Sequence, residues 1–281
     1  MPVDARRLIR KMRGGAQSHL IEAVDGHFYV VKFQNNPQHR RILVNEWIAA
    51  TFLNYLGLPT PEVAMIRTTQ EFQTQNPDVY MQLADHPLLP VHGWHFGSLY
   101  PGDPARTAVY DFLPDALLGK VVNLDEFRGV LAFDKWISNA DARQAIFFRA
   151  RLVGRPRPGE REDDSPAGLG FVAQMVDNGY VFDGPHWRLT DSPLQGLYFR
   201  PLVYRSVRGL SDFEPWLERI RHFPEEVVDQ AIKQLPPPWL EEDREELERL
   251  LERLLARRKR VPDLIEGCRA GRSNPFPEWG R

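Results

Sequence analysis

Two apolar runs, residues 19–24 and 27–33, flank the dipeptide Asp25-Gly26. That dipeptide accepts the positive φ angles of a tight two-residue turn, so the spacing predicts an antiparallel hairpin. The next segment narrows the fold further. Beyond Asn35-Asn36-Pro37, residues 39–57 place Ile42, Trp47, Ile48, Ala49, Phe52, Leu53 and Leu56 at helical spacing, with Gly57 as the stop. Residues 62–66 and 79–84 read as two more strands. The expected order is strand, strand, helix, strand, strand, a sheet carrying one helix.

Residues 85–104 are rich in His, Pro and Gly and have no period, which predicts an irregular excursion. A short apolar strand at 108–114 then runs into a connector, and the pattern changes. Residues 124–138 carry the spacing of a buried helix that ends at Asn139-Ala140-Asp141. Strands are expected at 145–148 and 171–176, separated by a Pro-, Gly- and charge-rich stretch at 154–170 that reads as an inserted mobile loop. Three helices are expected after residue 210: 211–223, 224–235, and one opening at Pro238 that carries Leu247, Leu250, Leu251, Leu254 and Leu255. The fold class is α+β, strand-rich first and helical last.

Charge and composition remove several function classes. Thirty-six Lys and Arg against 38 Asp and Glu leave a net charge of -2, so no global field would hold the chain on nucleic acid or an anionic membrane. The run Arg257-Arg258-Lys259-Arg260 closes a predicted helix, where positive charge complements the helix dipole, and gives no strong nucleic-acid signal. No stretch approaches the roughly 18–20 apolar residues that cross a bilayer, the Arg-rich start lacks a signal-peptide core, and Cys268 is the single cysteine. A cytoplasmic protein is the expectation. His86, His92 and His95 lie among Pro and Gly, a poor setting for a helical zinc pair.

The chemistry-bearing residues gain meaning from their order. Lys32 lies within an apolar strand, and Glu46 comes 14 residues later on the first helix. Singly these read as a solvated lysine and a helix-surface charge. Together they match the ion pair that fixes an ammonium against the α- and β-phosphates of ATP. Gly14 and Gly15 would let backbone N–H groups approach phosphate oxygens, with Gln17 and Ser18 as further donors. The chain contains neither GxxxxGK[ST] nor GxGxxG, which removes the two commonest alternative nucleotide sites. Asp141, after a buried helix, and Asp177, at a strand end before Gly179, supply two carboxylates: one to orient an acceptor hydroxyl, one to hold magnesium.

Over roughly residues 10–260 the chain resembles the HipA-like kinases, a branch of the protein-kinase-like superfamily that also includes the phosphatidylinositol kinases. The resemblance rests on GGAQSHLIEA, FYVVKFQ, LVNEWIAATFLNYLGLPTPE, VYDFLPDAL, FDKWISNADARQ and QMVDNGYVF, the last two being the most specific. It implies a two-lobed protein-kinase-like fold, with residues 1–112 as the N-terminal lobe and 113–281 as the C-terminal lobe. Asp141 then resembles the catalytic-loop aspartate, Asp177 the metal-binding aspartate and Lys32 the phosphate-contacting lysine. Val109, Asp111, Phe112 and Leu113 fall in the hinge that would hold adenine. ATP and Mg2+ are the implied cofactors, a protein Ser/Thr hydroxyl the implied acceptor, and a regulatory protein a possible partner.

The chain departs from the family in its catalytic loop. The asparagine normally found five residues after the aspartate, a second metal ligand, is Ile146 here, and the nearest amide is Gln144. Arg143 replaces the more usual His or Lys. Three readings therefore stand side by side: a kinase, an AMP-transferring enzyme on the same fold, and a nucleotide-binding pseudokinase that acts as an interaction module.

Overall fold

The computed structural model describes residues 2–152, 168–270 and 274–281. The expected insertion at 154–170 lies outside them except for its last residues, Gly168 to Gly170, which open a strand.

The strands run β1 Val3–Lys11, β2 His19–Ala23, β3 Phe28–Lys32, β4 Val63–Thr68, β5 Met81–Gln82, β6 Pro87–Leu88, β7 Gly93–Leu99, β8 Val109–Tyr110, β9 Gln144–Leu152 and β10 Gly168–Val176. The helices are α1 Arg41–Tyr55, α2 Gln70–Gln75, α3 Asp115–Leu118, α4 Glu126–Ile137, α5 Trp216–Arg221, α6 Glu225–Lys233, α7 Pro237–Leu240, α8 Arg244–Arg257 and α9 Val261–Gly267. The Asp25-Gly26 hairpin joins β2 to β3, with Gly26 at φ +81° and Asp25 Oδ1 accepting from His27 N at 2.9 Å.

Two strands depart from the sequence expectation. β1 is invisible to a hydrophobic pattern because five of its nine residues are charged, yet it pairs antiparallel with β2 and parallel with β4. Its Arg6 and Arg7 hydrogen-bond Glu22 on the outer surface. The glycine loop is thus a hairpin connection between the first two strands. β7 crosses the supposedly irregular 85–104 stretch and pairs with both β3 and β4, which closes a five-stranded barrel in the order β1-β2-β3-β7-β4. Its glycines, poor strand formers, hid it; a Cβ on Gly97 would run into Ile66 on the neighbouring strand. The strand expected at 79–84 contracts to β5, paired with β6.

Ile21, Val31, Phe33, Ile66 and Met81 fill the barrel. α1 is buried on nearly every face and joins the main core, where Phe52 stacks on Trp136 of α4 with ring centres 5.7 Å apart. The helical half assembles around α4, whose Trp136 Nε1 donates to the Leu254 carbonyl at 2.9 Å, with Leu247, Leu250, Leu251 and Leu254 of α8 buried alongside. The helix expected at 211–223 splits into a 3-10 turn, Leu210–Phe213, and α5, because Pro215 interrupts the backbone ladder. Likewise the helix expected from Pro238 divides into α7 and α8. β10, β9 and β8 form a separate three-stranded sheet in that order.

Gly129 on α4 faces Trp216, and a Cβ there would meet the indole ring. Gly129→Ala gains about 1 kcal/mol of helix propensity but overpacks that contact by about 1–3 kcal/mol. A net loss of stability in urea unfolding is expected.

Candidate functional site

β3 ends by burying Lys32, and α1 presents Glu46 opposite it from its buried second turn. The Lys32 ammonium donates to Glu46 Oε1 and, at 2.7 Å, to Asp177 Oδ1. Glu46 Oε2 accepts from the backbone N–H of Asn178 at 3.0 Å, so one glutamate ties the strand lysine to the turn after β10. Burial works against the Lys32 charge, but the Glu46 and Asp177 carboxylates outweigh it and hold the ammonium above the usual lysine range. Lys32 holds the Asp177 carboxyl below its usual range against the opposing effect of burial, with Arg143 and a Gln144 hydrogen bond assisting. Since its folded value is depressed, Asp177 contributes stability above the ordinary carboxylate value that is lost as pH falls through the depressed one.

Asp177 sits at φ +59°, a left-handed turn that stops β10 and frees its side chain, which is 40% exposed. α4 ends on a similar device, Ser138 at φ +58°, after which the chain turns into Asp141. The exposed Asp141 carboxylate accepts from Ala142 N at 2.7 Å, and Asn139 Oδ1 accepts from Asp141 N at 3.2 Å.

Behind this loop lies a buried polar network that the sequence does not advertise. Arg143 and Asp134 form a two-pronged ion pair with both side chains at 0% exposure. Arg143 Nη1 also donates to Asn178 Oδ1 at 2.8 Å, and Asn139 Nδ2 donates to Asp134 Oδ1 at 3.0 Å. The neighbouring Lys135 donates to the carbonyls of Ser192, Pro193 and Gln195 at 2.7–3.0 Å, fastening the segment after Asp177 onto α4. A sequence signal existed only in hindsight: charged Asp134 and Lys135 fall on a helix whose other residues are almost all buried.

Between barrel and helices opens a cleft of about 780 Å³. Gly14, Gly15, Ser18, Lys32, Glu46, Val109, Asp111, Asp141, Gln144 and Asp177 all line it. Three of the residues singled out from sequence do not. Gln17 uses both ends of its amide on the Gln82 backbone, at 2.8 and 2.6 Å. Phe112 is exposed beneath the Arg200 guanidinium, 4.7 Å away, and Leu113 is buried in the main core. Gln144 reaches the site because it opens β9 directly opposite Val176, the residue before Asp177. Ile146 lines the cleft as an apolar wall. Of the histidines, His95 is buried and held neutral, its pKa lowered by burial to about 3, with Thr68 and the Gln34 backbone as partners. Among the described residues no group of three or more His, Cys, Asp or Glu is placed to hold a metal ion.

A family model described as HipA-like kinase matches residues 6–146, half of the 281-residue chain. The chain belongs to the HipA-like kinase family. The match runs from β1 through the loop that carries Asp141 to Ile146, so Asp177 lies beyond it. No curated protein matches the chain significantly. Among solved structures the Golgi casein kinase is similar at 12% identity and a TM-score of 0.51, with 96% of this chain and 73% of that one covered. The same kinase with Mn/ADP bound aligns at 12% identity and a TM-score of 0.51, covering 95% and 73%. The HipA of Shewanella oneidensis MR-1, in complex with HipB and operator DNA, aligns at 13% identity and a TM-score of 0.47, covering 94% and 68%. The fold of this HipA-like kinase family member is protein-kinase-like, strand-rich at its N-terminal side and helical at its C-terminal side. No helix among the described residues is long and apolar enough to cross a membrane.

Asp134→Ala would leave Arg143 charged, buried and unpaired. A loss of about 3–5 kcal/mol in denaturant unfolding is expected, several times the effect of Asp115→Ala, whose carboxylate pairs with Arg200 on the surface.

Proposed function

We propose that the protein is an ATP-dependent phosphotransferase that moves the γ-phosphoryl group of ATP to a protein Ser/Thr hydroxyl. The observation that carries this reading is the single lysine, Lys32, bound at once to Glu46 and Asp177 in a cleft that Asp141 and the glycine loop share. Adenine would lie against Val30, Ala50, Val63, Ile146 and Met175, apolar side chains that line the same cleft, with the backbone of residues 109–113 as the hinge. The lobes of the proposal are residues 1–112 and 113–281. Gly14 and Gly15 admit the phosphates to the loop backbone, Lys32 contacts them, and Glu46 keeps the ammonium aimed. Asp141 accepts the hydroxyl proton as the oxygen attacks.

A divalent ion suits the donors present. Asp177 is partly exposed and anionic, Gln144 hydrogen-bonds it through its amide N–H and carries a carbonyl oxygen on the same group, and magnesium commonly takes one or two protein oxygens beside substrate phosphates. Asp177 and Gln144 would hold it. When bound it supplies charge neutralisation to the phosphates.

Label transfer from γ-labelled and, separately, α-labelled ATP with magnesium, onto the protein itself and onto a lysate, tests the reading. Transfer of γ label is expected, reduced at least about 100-fold in Asp141→Asn and abolished in Asp177→Asn and Lys32→Met. Transfer of α label would instead mean AMP transfer, and ATP binding with no transfer would leave an interaction module.

A further inference from the structure

Sharing Asp141 with the main cleft is a second open recess of about 490 Å³, lined also by Asp183 and His186. Three side chains line both hollows: Gln38, Asp141 and Tyr180. A group that passes from a nucleotide in the cleft to a hydroxyl held in the recess must cross between them. Asp141 has a role in that crossing already. Gln38 has none, and its amide borders both hollows.

Asn36, buried between β3 and α1, donates from Nδ2 to the Ala16 carbonyl at 2.9 Å, which lashes the β3–α1 connection to the glycine loop. Its Oδ1 accepts from Gln38 N at 2.8 Å and so sets the start of that side chain. The far end lies over Gly15: a Cβ built there would fall 2.7 Å from Gln38 Nε2. Gly15 has no positive φ, so what its missing side chain provides is room for this amide. The neighbouring glutamines are engaged, Gln17 with Gln82 and Gln34 with the Pro238 carbonyl. The Gln38 carboxamide has no hydrogen-bond partner among the described residues. Two free N–H donors therefore stand half-buried between the glycine loop and Asp141.

We infer that Gln38 is a catalytic residue that donates an amide N–H to the phosphoryl group in transit between the cleft and the recess. The inference rests on the kinase reading of this cleft. In the step concerned, the acceptor oxygen forms a bond to the γ-phosphorus while the bond from that phosphorus to the β–γ bridging oxygen breaks. The nucleoside diphosphate leaves with the electron pair, and the hydroxyl proton goes to Asp141. Charge is shared among the non-bridging oxygens as the group moves, and an amide donor within reach of them lowers the barrier. A neutral amide suits that position. It stabilises the moving group without adding a fixed charge that would retain the product.

The test is a mutant cycle read without knowledge of the natural acceptor. Wild type, Gln38→Ala, the isosteric Gln38→Glu, Gly15→Ala and the Gly15→Ala/Gln38→Ala double variant are compared. Single-turnover transfer of γ label from ATP to water and to the chain itself is measured beside ATP affinity and thermal stability. Gln38→Ala is expected to slow transfer at least about tenfold while ATP affinity stays within about twofold. Gln38→Glu, which loses the donors and repels phosphate, is slower still at unchanged stability. Gly15→Ala pushes the amide aside and slows transfer comparably, and the double variant is no slower than either single one. The inference is overturned if Gln38→Ala transfers label at the wild-type rate, if weaker ATP binding accounts for its whole defect, or if the two losses multiply. A wild-type protein that binds ATP yet transfers no γ label overturns the kinase reading and this inference together, which separates the two failures.

Discussion

The Asp134–Arg143 ion pair is the constraint on which the site depends. Two charges with no solvent exposure are costly to desolvate, and further hydrogen bonds on both partners offset that cost. Arg143 reaches Asn178 and the Val176 carbonyl, and Asp134 receives Asn139. The end of α4, the loop carrying Asp141 and the turn carrying Asp177 therefore form one hydrogen-bonded body. Gly196 packs against Asp134 where a side chain would not fit, and its N–H donates to the Asp141 carbonyl at 3.0 Å. The Asp141 and Asp177 carboxylates are thereby held in a fixed relation although both are exposed.

α1 transmits that order to the barrel. Asn45 donates to the carbonyls of Gly179, Val181 and Gly184, and accepts from Trp187 Nε1 at 2.8 Å. The adjacent Glu46 links Lys32 to Asn178. Consecutive residues of one helix thus grip the segment after β10 and the lysine of β3. At the start of α1, Arg41 binds Asp243 and Glu246 and lies over the Trp187 ring at 4.2 Å. A helix that joins a barrel to a helical bundle must be buried on almost all sides, and an apolar periphery interrupted by Asn45 and Glu46 is how this one meets both demands.

Much of this arrangement was legible in the chain. The Asp25-Gly26 turn, the helix after it and the buried α4 come from local rules: turn chemistry, helical spacing and a left-handed stop. Lys32, Glu46, Asp141 and Asp177 could be picked out because their order along the chain matches that of a kinase-type site, although each singly reads as an ordinary charge. β1 and β7 were not legible. A strand of mostly charged residues whose partners lie on both sides, and a glycine-containing strand in a His- and Pro-rich stretch, gain their order from pairing, and pairing is a long-range property. Gln17 failed as a phosphate donor for a similar reason: its amide meets a backbone 65 residues away.

The sequence by itself determined the first hairpin, α1, α4 and the strand-rich-then-helical order, because turn, helix and strand preferences act over a few neighbouring residues. Tertiary structure alone decided which polar groups became a site. The barrel's closure, the Arg143 network, the place of Gln144 beside Asp177 and the free amide of Gln38 over Gly15 all depend on contacts between segments remote in the chain. Local propensity carries no information about such contacts, since their energy exists only once packing has removed water and brought the partners within hydrogen-bonding distance.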